Sequence, residues 1–250
     1  MATITAQSSI GGGRSPASLP GRRFDHIFFT ASALSMLATV YAGFARTYYQ
    51  AGIFHAPLPS LIIHVHGAVF STWILLLVTQ TSLVSAGRLD IHRRLGLAGF
   101  ILASLMVIVG VLAATDSLVR ADIVGRDARF FYIVPLTDML IFATLIFFAY
   151  RKRSNSAEHK RLIFLATTAL LIAATARWPW FHQRNLIRAT LLSECFLLIL
   201  IAYDLWSTHK LHRVTLWAGA FLVAVQQLRL PIGHTHPWLA FAAWVQSWAR

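Results

Sequence analysis

Acidic residues are scarce in this chain. Nine Asp and Glu stand against 22 Lys and Arg, and charged residues of both signs make up only 12% of the 250 residues. Soluble domains carry roughly 25% charged residues. The shortage argues against an ordinary water-facing surface and points to lipid as the solvent. Cysteine is nearly missing too. Cys195 is the single one and lies within an apolar run, so no intrachain disulfide forms and no cysteine cluster holds zinc or an iron–sulfur group. A phosphate-cradling glycine loop is lacking, since the glycines at 11–13 precede no strand–helix unit, and no nucleophile elbow is present. What fills the chain instead is apolar: 57% of it is hydrophobic, with a mean hydropathy of +0.62.

A net charge of +13 would suit nucleic acid if the chain were soluble. Here the cations fall between apolar runs. The expected partner is therefore a lipid bilayer with anionic headgroups, and nucleic acid is not expected. No protein partner is indicated.

Apolar runs cover 27–49, 60–86, 95–118, 130–150, 161–180, 186–206 and 214–233. Each approaches the ~20 residues that one crossing requires. Their length, without period-two alternation, excludes barrel strands. The expected fold is all-α, a polytopic membrane helix bundle with seven transmembrane helices over residues 25–236. Residues 1–24 are small, polar and rich in Gly and Ser. They read as a disordered cytoplasmic tail without the apolar segment and cleavage site of a signal peptide. Residues 237–250 are too short to span and read as an interfacial amphipathic segment.

Orientation follows from Lys and Arg. Arg22, Arg23, Arg88, Arg93, Arg94, Arg151, Lys152, Arg153, Lys160, Arg161, Lys210 and Arg213 fall on one side. Arg46, Arg120, Arg126, Arg129, Arg184 and Arg250 fall on the other, diluted by Asp122 and Asp127. The richer side faces the cytoplasm. The expected location is the bacterial cytoplasmic (inner) membrane, with the amino terminus inside and the carboxy terminus outside. Trp206 and Trp217 would lie at the inner interface, and Trp178, Trp180, Trp238, Trp244 and Trp248 at the outer one.

One phrase occurs twice. "HRRL", His92–Leu95, and "HKRL", His159–Leu162, each open an apolar run behind an acid, Asp90 or Glu158. A weaker echo is His212-Arg213. The acids suit a helix amino terminus. The cations oppose that dipole, but each gains about 1 kcal/mol from an anionic leaflet. A histidine adds little to such anchoring. Two readings stay open for it: a boundary side chain bonded to a headgroup or loop, or a ligand to haem iron or another metal.

The stretches "HGAVFSTWILLLVTQ", "GRLDIHRRLG" and "HKRLIFLATTALLIAATARWP" resemble a family of uncharacterised bacterial multi-pass membrane proteins, in which a His-Gly helix leads to a His-Arg loop and a second His-basic phrase opens a later helix. The likeness covers roughly residues 60–180. These His-bearing helices are in turn distantly similar to those of b-type membrane cytochromes. That similarity implies haem b, with His92, His159 and His66 as cofactor-binding residues. One haem would lie between His92 and His159, and a second between His66 and His182. His159 and His182 do not fit one straight helix of a di-haem bundle. They would stand about 34 Å apart at the helical rise, more than the hydrocarbon thickness of about 30 Å.

Ionisable groups within apolar runs are costly and mark sites. His66, Asp138 and Glu194 lie about 9, 12 and 12 Å into their helices. They are expected to share one level of an intramembrane polar pocket, with Arg177, Arg188 and Arg229 nearby and Gln226 and Gln227 slightly deeper. Such a pocket is either a structural ion-pair network or a site for ligand or proton transfer. A zinc site built from His64, His66, His234 and His236, with Ser60 ahead of His64, is an alternative metal reading. A spacing of two, however, puts each pair on different helix faces. The expected function is that of a haem-b-binding or redox-linked membrane protein. A proton-coupled small-solute transporter, a zinc-dependent intramembrane hydrolase and a non-catalytic membrane assembly factor are the other readings.

Overall fold

Every regular element among the described residues is helical. The computed structural model describes residues 20–57, 59–120, 127–178 and 185–249, with side chains from Phe24 onward. His182, Trp180, Arg126, Arg184, Asp122, Arg250 and most of the 1–24 tail lie outside these residues, as do the expectations placed on them.

Helix α1 runs Pro20–Phe44 and ends in a wide π turn, Ala45–Tyr49. Then follow α2 (Leu61–Ser85), α3 (Leu89–Arg120), the short α4 (Ala128–Phe131) and α5 (Ile133–Arg151). The second half holds α6 (Ser156–Leu170), one further turn α7 (Ile172–Thr175), α8 (Leu186–Thr208), α9 (Arg213–Gly233) and α10 (His236–Trp248).

Among the described residues, five segments are long and apolar enough to cross a membrane: Phe24–Tyr49, Leu61–Ser85, Leu89–Arg120, Ala128–Arg151 and Leu186–Thr208. The other two expected crossings fall short, each for a visible reason. The run 161–180 is broken at Leu171, whose N–H bonds the Thr168 carbonyl three residues back at 3.1 Å, so α6 is only 15 residues long. The last run is helical over 21 residues, but Gln226, Gln227 and Arg229 dilute its second half.

Helix α5 lies at the centre and packs against α3, α6 and α9, while α2 bridges α1 and α3. Ile141, Phe142, Leu145, Leu162, Leu165, Leu200 and Leu222 form the dry middle, each fully buried. Apolar side chains also cover the outside. Leu97, Ile101, Ile108 and Leu112 form one exposed stripe of α3, and Leu191, Leu198 and Ile199 line exposed α8. An outer surface this apolar is what a lipid-facing bundle presents and a water-facing one avoids.

Close approach fixes two of the crossings. A Cβ on Gly43 would sit 2.3 Å from the Ala174 carbonyl oxygen, so α1 and α7 touch backbone to backbone. A Cβ on Gly110 would fall 2.4 Å from Met139 Sδ, at the contact of α3 with α5.

The basic ends of the helices meet at one end of the bundle. The amino end of α1 is bonded to the last turn of α2 by Thr30 and Ser85 at 2.9 Å. Its Asp25 pairs with Lys160 on α6 and accepts from Tyr203 on α8 at 2.6 Å. Exposed Trp206 and Trp217 lie at this end, on α8 and α9. At the opposite end α10 is docked rather than loose. Gln246 accepts from Arg129 Nε at 3.0 Å and donates to the Leu118 carbonyl at 2.9 Å, and Trp238 Nε1 donates to the Arg129 carbonyl at 2.9 Å.

Candidate functional site

At the basic end a cavity of about 900 Å³ opens between α1, α2, α3, the end of α5 and the start of α6. Both repeated histidines line it, His92 from α3 and His159 from α6. Its depth is apolar and aromatic, with Phe29, Met36, Trp73, Leu77, Phe100 and Phe164. Its mouth is basic, with Arg93, Arg153 and Lys160 against the single carboxylate of Asp25. Ligand pockets commonly enclose about 300–1,000 Å³, and this one lies near the upper end of that range.

Helices α3 and α6 begin earlier than their apolar runs, at Leu89 and Ser156. The acids therefore occupy the first turns and the histidines the turn itself, rather than the approach to it. Asn155 caps α6, accepting from the Ala157 and Glu158 N–H groups at 3.2 and 3.3 Å.

Hydrogen bonds distinguish the two imidazoles. His159 Nδ1 lies 2.9 Å from the Ala149 carbonyl oxygen. A carbonyl only accepts, so Nδ1 carries a proton, and in the neutral imidazole Nε2 keeps its lone pair. Around His92 the roles reverse. The Gln80 amide is satisfied when its oxygen accepts from Gly96 N at 2.9 Å, which sets its nitrogen 2.5 Å from His92 Nδ1 and 3.2 Å from the His92 carbonyl. Nδ1 of His92 then accepts, and Nε2 carries the proton. One cavity thus receives an imidazole with a free lone pair and another with a free N–H.

The cations of the two phrases have different fates. Arg93 and Arg94 are exposed, as a membrane-surface anchor would be. Lys160 turns to Asp25 and lies 4.8 Å over the Phe29 ring. Arg161 is buried, only 4% exposed, and donates to the fully buried Asp204. Lipid anchoring does not account for Arg161. The other Asp204 oxygen accepts from His212 N at 3.2 Å and Thr215 Oγ1 at 2.6 Å. His212 in turn caps α9, its Nδ1 accepting from Val214 N at 3.2 Å. Burial first, then the Arg161 charge, holds the His212 imidazole below its ordinary value, against the opposing pull of Asp204 and Glu158.

The intramembrane polar residues gather only in part. Asp138 on α5 accepts from Arg229 Nη1 on α9 at 2.8 Å, both buried, and Arg229 Nη2 lies 3.4 Å from Thr190 Oγ1 on α8. Glu194 accepts instead from Gln227 at 3.3 Å on the outer face of α8 and α9. His66 stacks on Phe70, ring centroids 4.1 Å apart, and forms no hydrogen bond or ion pair with Asp138 or Glu194. Arg177 donates to the Ala173 carbonyl at 2.6 Å and lies over the Phe44 ring, and Arg188 is exposed. Of the three arginines, Arg229 is the one paired with a carboxylate of the expected pocket. Gln226 faces the interior, and neither its side-chain polar atoms nor Arg229 Nε has a hydrogen-bond partner among the described residues.

Comparison with protein-family models, with curated proteins and with solved structures gives no match.

The four histidines of the zinc reading form no common cluster among the described residues. His64 lies beside Tyr48, His66 on Phe70, and His234 stacks on Phe130 with ring centroids 4.1 Å apart. No three of His, Cys, Asp and Glu come together as a metal site among the described residues. Ser60 is engaged elsewhere, donating to Asp116 at 3.1 Å and accepting from Arg120 at 3.2 Å.

Sequence reasoning missed Asp204, Gln80 and Asp25. Asp204 left one signal. An acid near the carboxy end of an apolar helix meets an unfavourable dipole, so it needs a specific cation, and Arg161 supplies it.

Proposed function

We propose that this protein is an integral membrane protein that binds haem b in the cavity between α1, α2, α3 and α6, with a redox-linked role. The observation that supports it most is that His92 and His159, on two separate helices, line one cavity of about 900 Å³ with apolar walls and a basic mouth. The residues fit the group. His159 would hold the iron through Nε2, because its Nδ1 proton is bonded to the Ala149 carbonyl, the arrangement that orients ligating histidines and raises their basicity. His92 would present its Nε2–H to the same space as a hydrogen-bond donor, with Gln80 holding the ring. Arg93 and Arg153 would meet carboxylates at the mouth. Bound haem supplies one-electron chemistry, tuned by its axial ligand and neighbouring donors.

The chain crosses seven times, counting the broken α6–α7 pair and α9, in a bacterial inner membrane. Its amino terminus and the cavity mouth are on the cytoplasmic side. The basic residues of the α2–α3, α5–α6 and α8–α9 connections support this orientation. Reporter fusions after Arg153 and after Arg250 should report opposite sides.

The deciding measurement is the absorption spectrum of detergent-purified protein from haem-supplied cells. A Soret band is expected. His159→Ala should abolish it, and His92→Ala should keep haem but shift the band. Protein that carries no iron porphyrin under these conditions refutes the reading.

A further inference from the structure

The mouth of the cavity holds two cations that no acid among the described residues neutralises. Four of the nearby charges cancel in pairs: Arg88 with Asp90 at 3.5 Å, and Lys152 with Glu158 at 3.0 Å. Lys160 is paired with Asp25. Arg93 and Arg153 are left, and among the described residues neither has a carboxylate partner. Both line the cavity. Arg153 is also held in place. Its Nη1 donates to the Tyr150 carbonyl at 3.1 Å, and its guanidinium lies 4.4 Å over the Tyr150 ring. A guanidinium fixed in this way loses less freedom when it captures an anion. Ser154 and Ser156 add hydroxyls at the same rim.

Below this rim much of the wall is apolar. Phe29, Met36, Trp73, Leu77 and Phe164 line the depth. The one buried polar group of Trp73, its Nε1–H, is already donated to Thr167 Oγ1 at 3.2 Å. A small inorganic anion would leave that depth unfilled, and a neutral lipid would leave both guanidinium groups unpaired.

We infer that Arg93 and Arg153 form an anion-binding rim that selects amphipathic carboxylates, with the carboxylate at the mouth and the apolar body against Trp73, Met36 and Phe164. The inference rests on the reading that this cavity is the ligand site, and it does not require the ligand to be haem. Two sources share the chemistry: the propionate-bearing porphyrin proposed above and a long-chain fatty acid from the bilayer. Bidentate pairing of guanidinium with carboxylate supplies the selectivity.

The test uses the full-length protein in nanodiscs of neutral phosphatidylcholine. A fluorescent long-chain fatty acid and its methyl ester are titrated into the wild type and into Arg93→Gln/Arg153→Gln. Both substituted residues are exposed, so an unchanged melting temperature is required as the folding control. The acid should bind the wild type at least 10-fold more tightly than the ester. The double variant should lose that preference while its ester affinity stays the same. Equal affinity for acid and ester in the wild type overturns the inference, and so does an undiminished preference in the double variant. Haemin competition then separates the sources. Displacement of the acid by haemin, with faster haem loss from the double variant, assigns the rim to the porphyrin. Acid selectivity in protein that takes up no haem assigns it to the bilayer fatty acid and refutes only the haem reading. A Soret band with no acid preference leaves haem standing and removes the rim.

Discussion

Arg161 donates from both Nε and Nη2 to one carboxylate oxygen of Asp204, at 3.0 and 2.5 Å, and their side chains are only 5% and 0% exposed. The pair joins α6 to α8, and through His212 and Thr215 it fixes the start of α9. A buried pair is costly to break from one side, because the remaining charge is stranded. Asp204→Ala should therefore lower stability by about 3–5 kcal/mol. Arg161→Met/Asp204→Leu should recover most of that loss. Thermal unfolding of the detergent-solubilised variants measures both, and a double variant no better than the single one would contradict the account.

Asp138 and Arg229 pose the same question deeper in the bundle, at 2.8 Å between α5 and α9. Asp138→Leu alone should destabilise more than Asp138→Leu/Arg229→Met, since the single change leaves a buried cation. Glu194→Gln should cost less than about 1 kcal/mol, the scale of one ordinary hydrogen bond. Its partner in the outer layer is the Gln227 amide at 3.3 Å. If Glu194→Gln proves as damaging as the Asp138 change, the division between inner pair and outer bond is wrong.

His212 gives stability a pH dependence. Its Nδ1 accepts from Val214 N, and burial and the Arg161 charge lower its affinity for a proton. Asp204 and Glu158 act in the opposite sense, and Lys160 in the same sense as Arg161. The folded chain then binds fewer protons here than the unfolded chain, so this contribution to stability is present above the ordinary imidazole value of about 6.5 and is lost as pH falls below it. Asn in place of His212 keeps a capping acceptor and does not titrate. The melting temperature of the wild type minus that of His212→Asn should fall on going from pH 7.5 to 5.5. A difference that stays flat across this range would exclude the role.

Gly43 and Gly96 should respond differently to a methyl group. At Gly43 it would meet the Ala174 backbone at 2.3–2.8 Å, and backbone cannot step aside. Gly43→Ala should cost about 1–3 kcal/mol through overpacking between α1 and α7. At Gly96 the nearest atom belongs to the Gln80 side-chain amide, at 3.8 Å, so the change is free of overlap and gains helix propensity. Melting temperatures that rank the two variants the other way round would refute the packing of α1 on α7.

The local sequence was enough to show the helical class, the lipid-facing composition and most helix positions, because apolar runs and capping residues act over a few neighbouring positions. It also marked His92, His159, Asp138 and Arg229 as residues needing explanation, since each is costly where it stands. It could not show that "HRRL" and "HKRL" part ways. The first turns of α3 leave Arg93 and Arg94 exposed. Helix α6 packs between α5, α8 and α9, so Lys160 and Arg161 must find Asp25 and Asp204, acids far away along the chain. Nor could it separate Glu194 from Asp138, two acids at similar depth, one on an outward face and one on an inward face. Hydropathy along a run records how much of a helix avoids water. It does not record which face meets which neighbour, and that choice was made by the packing of helices distant in sequence, which alone brought His92 and His159 to one cavity.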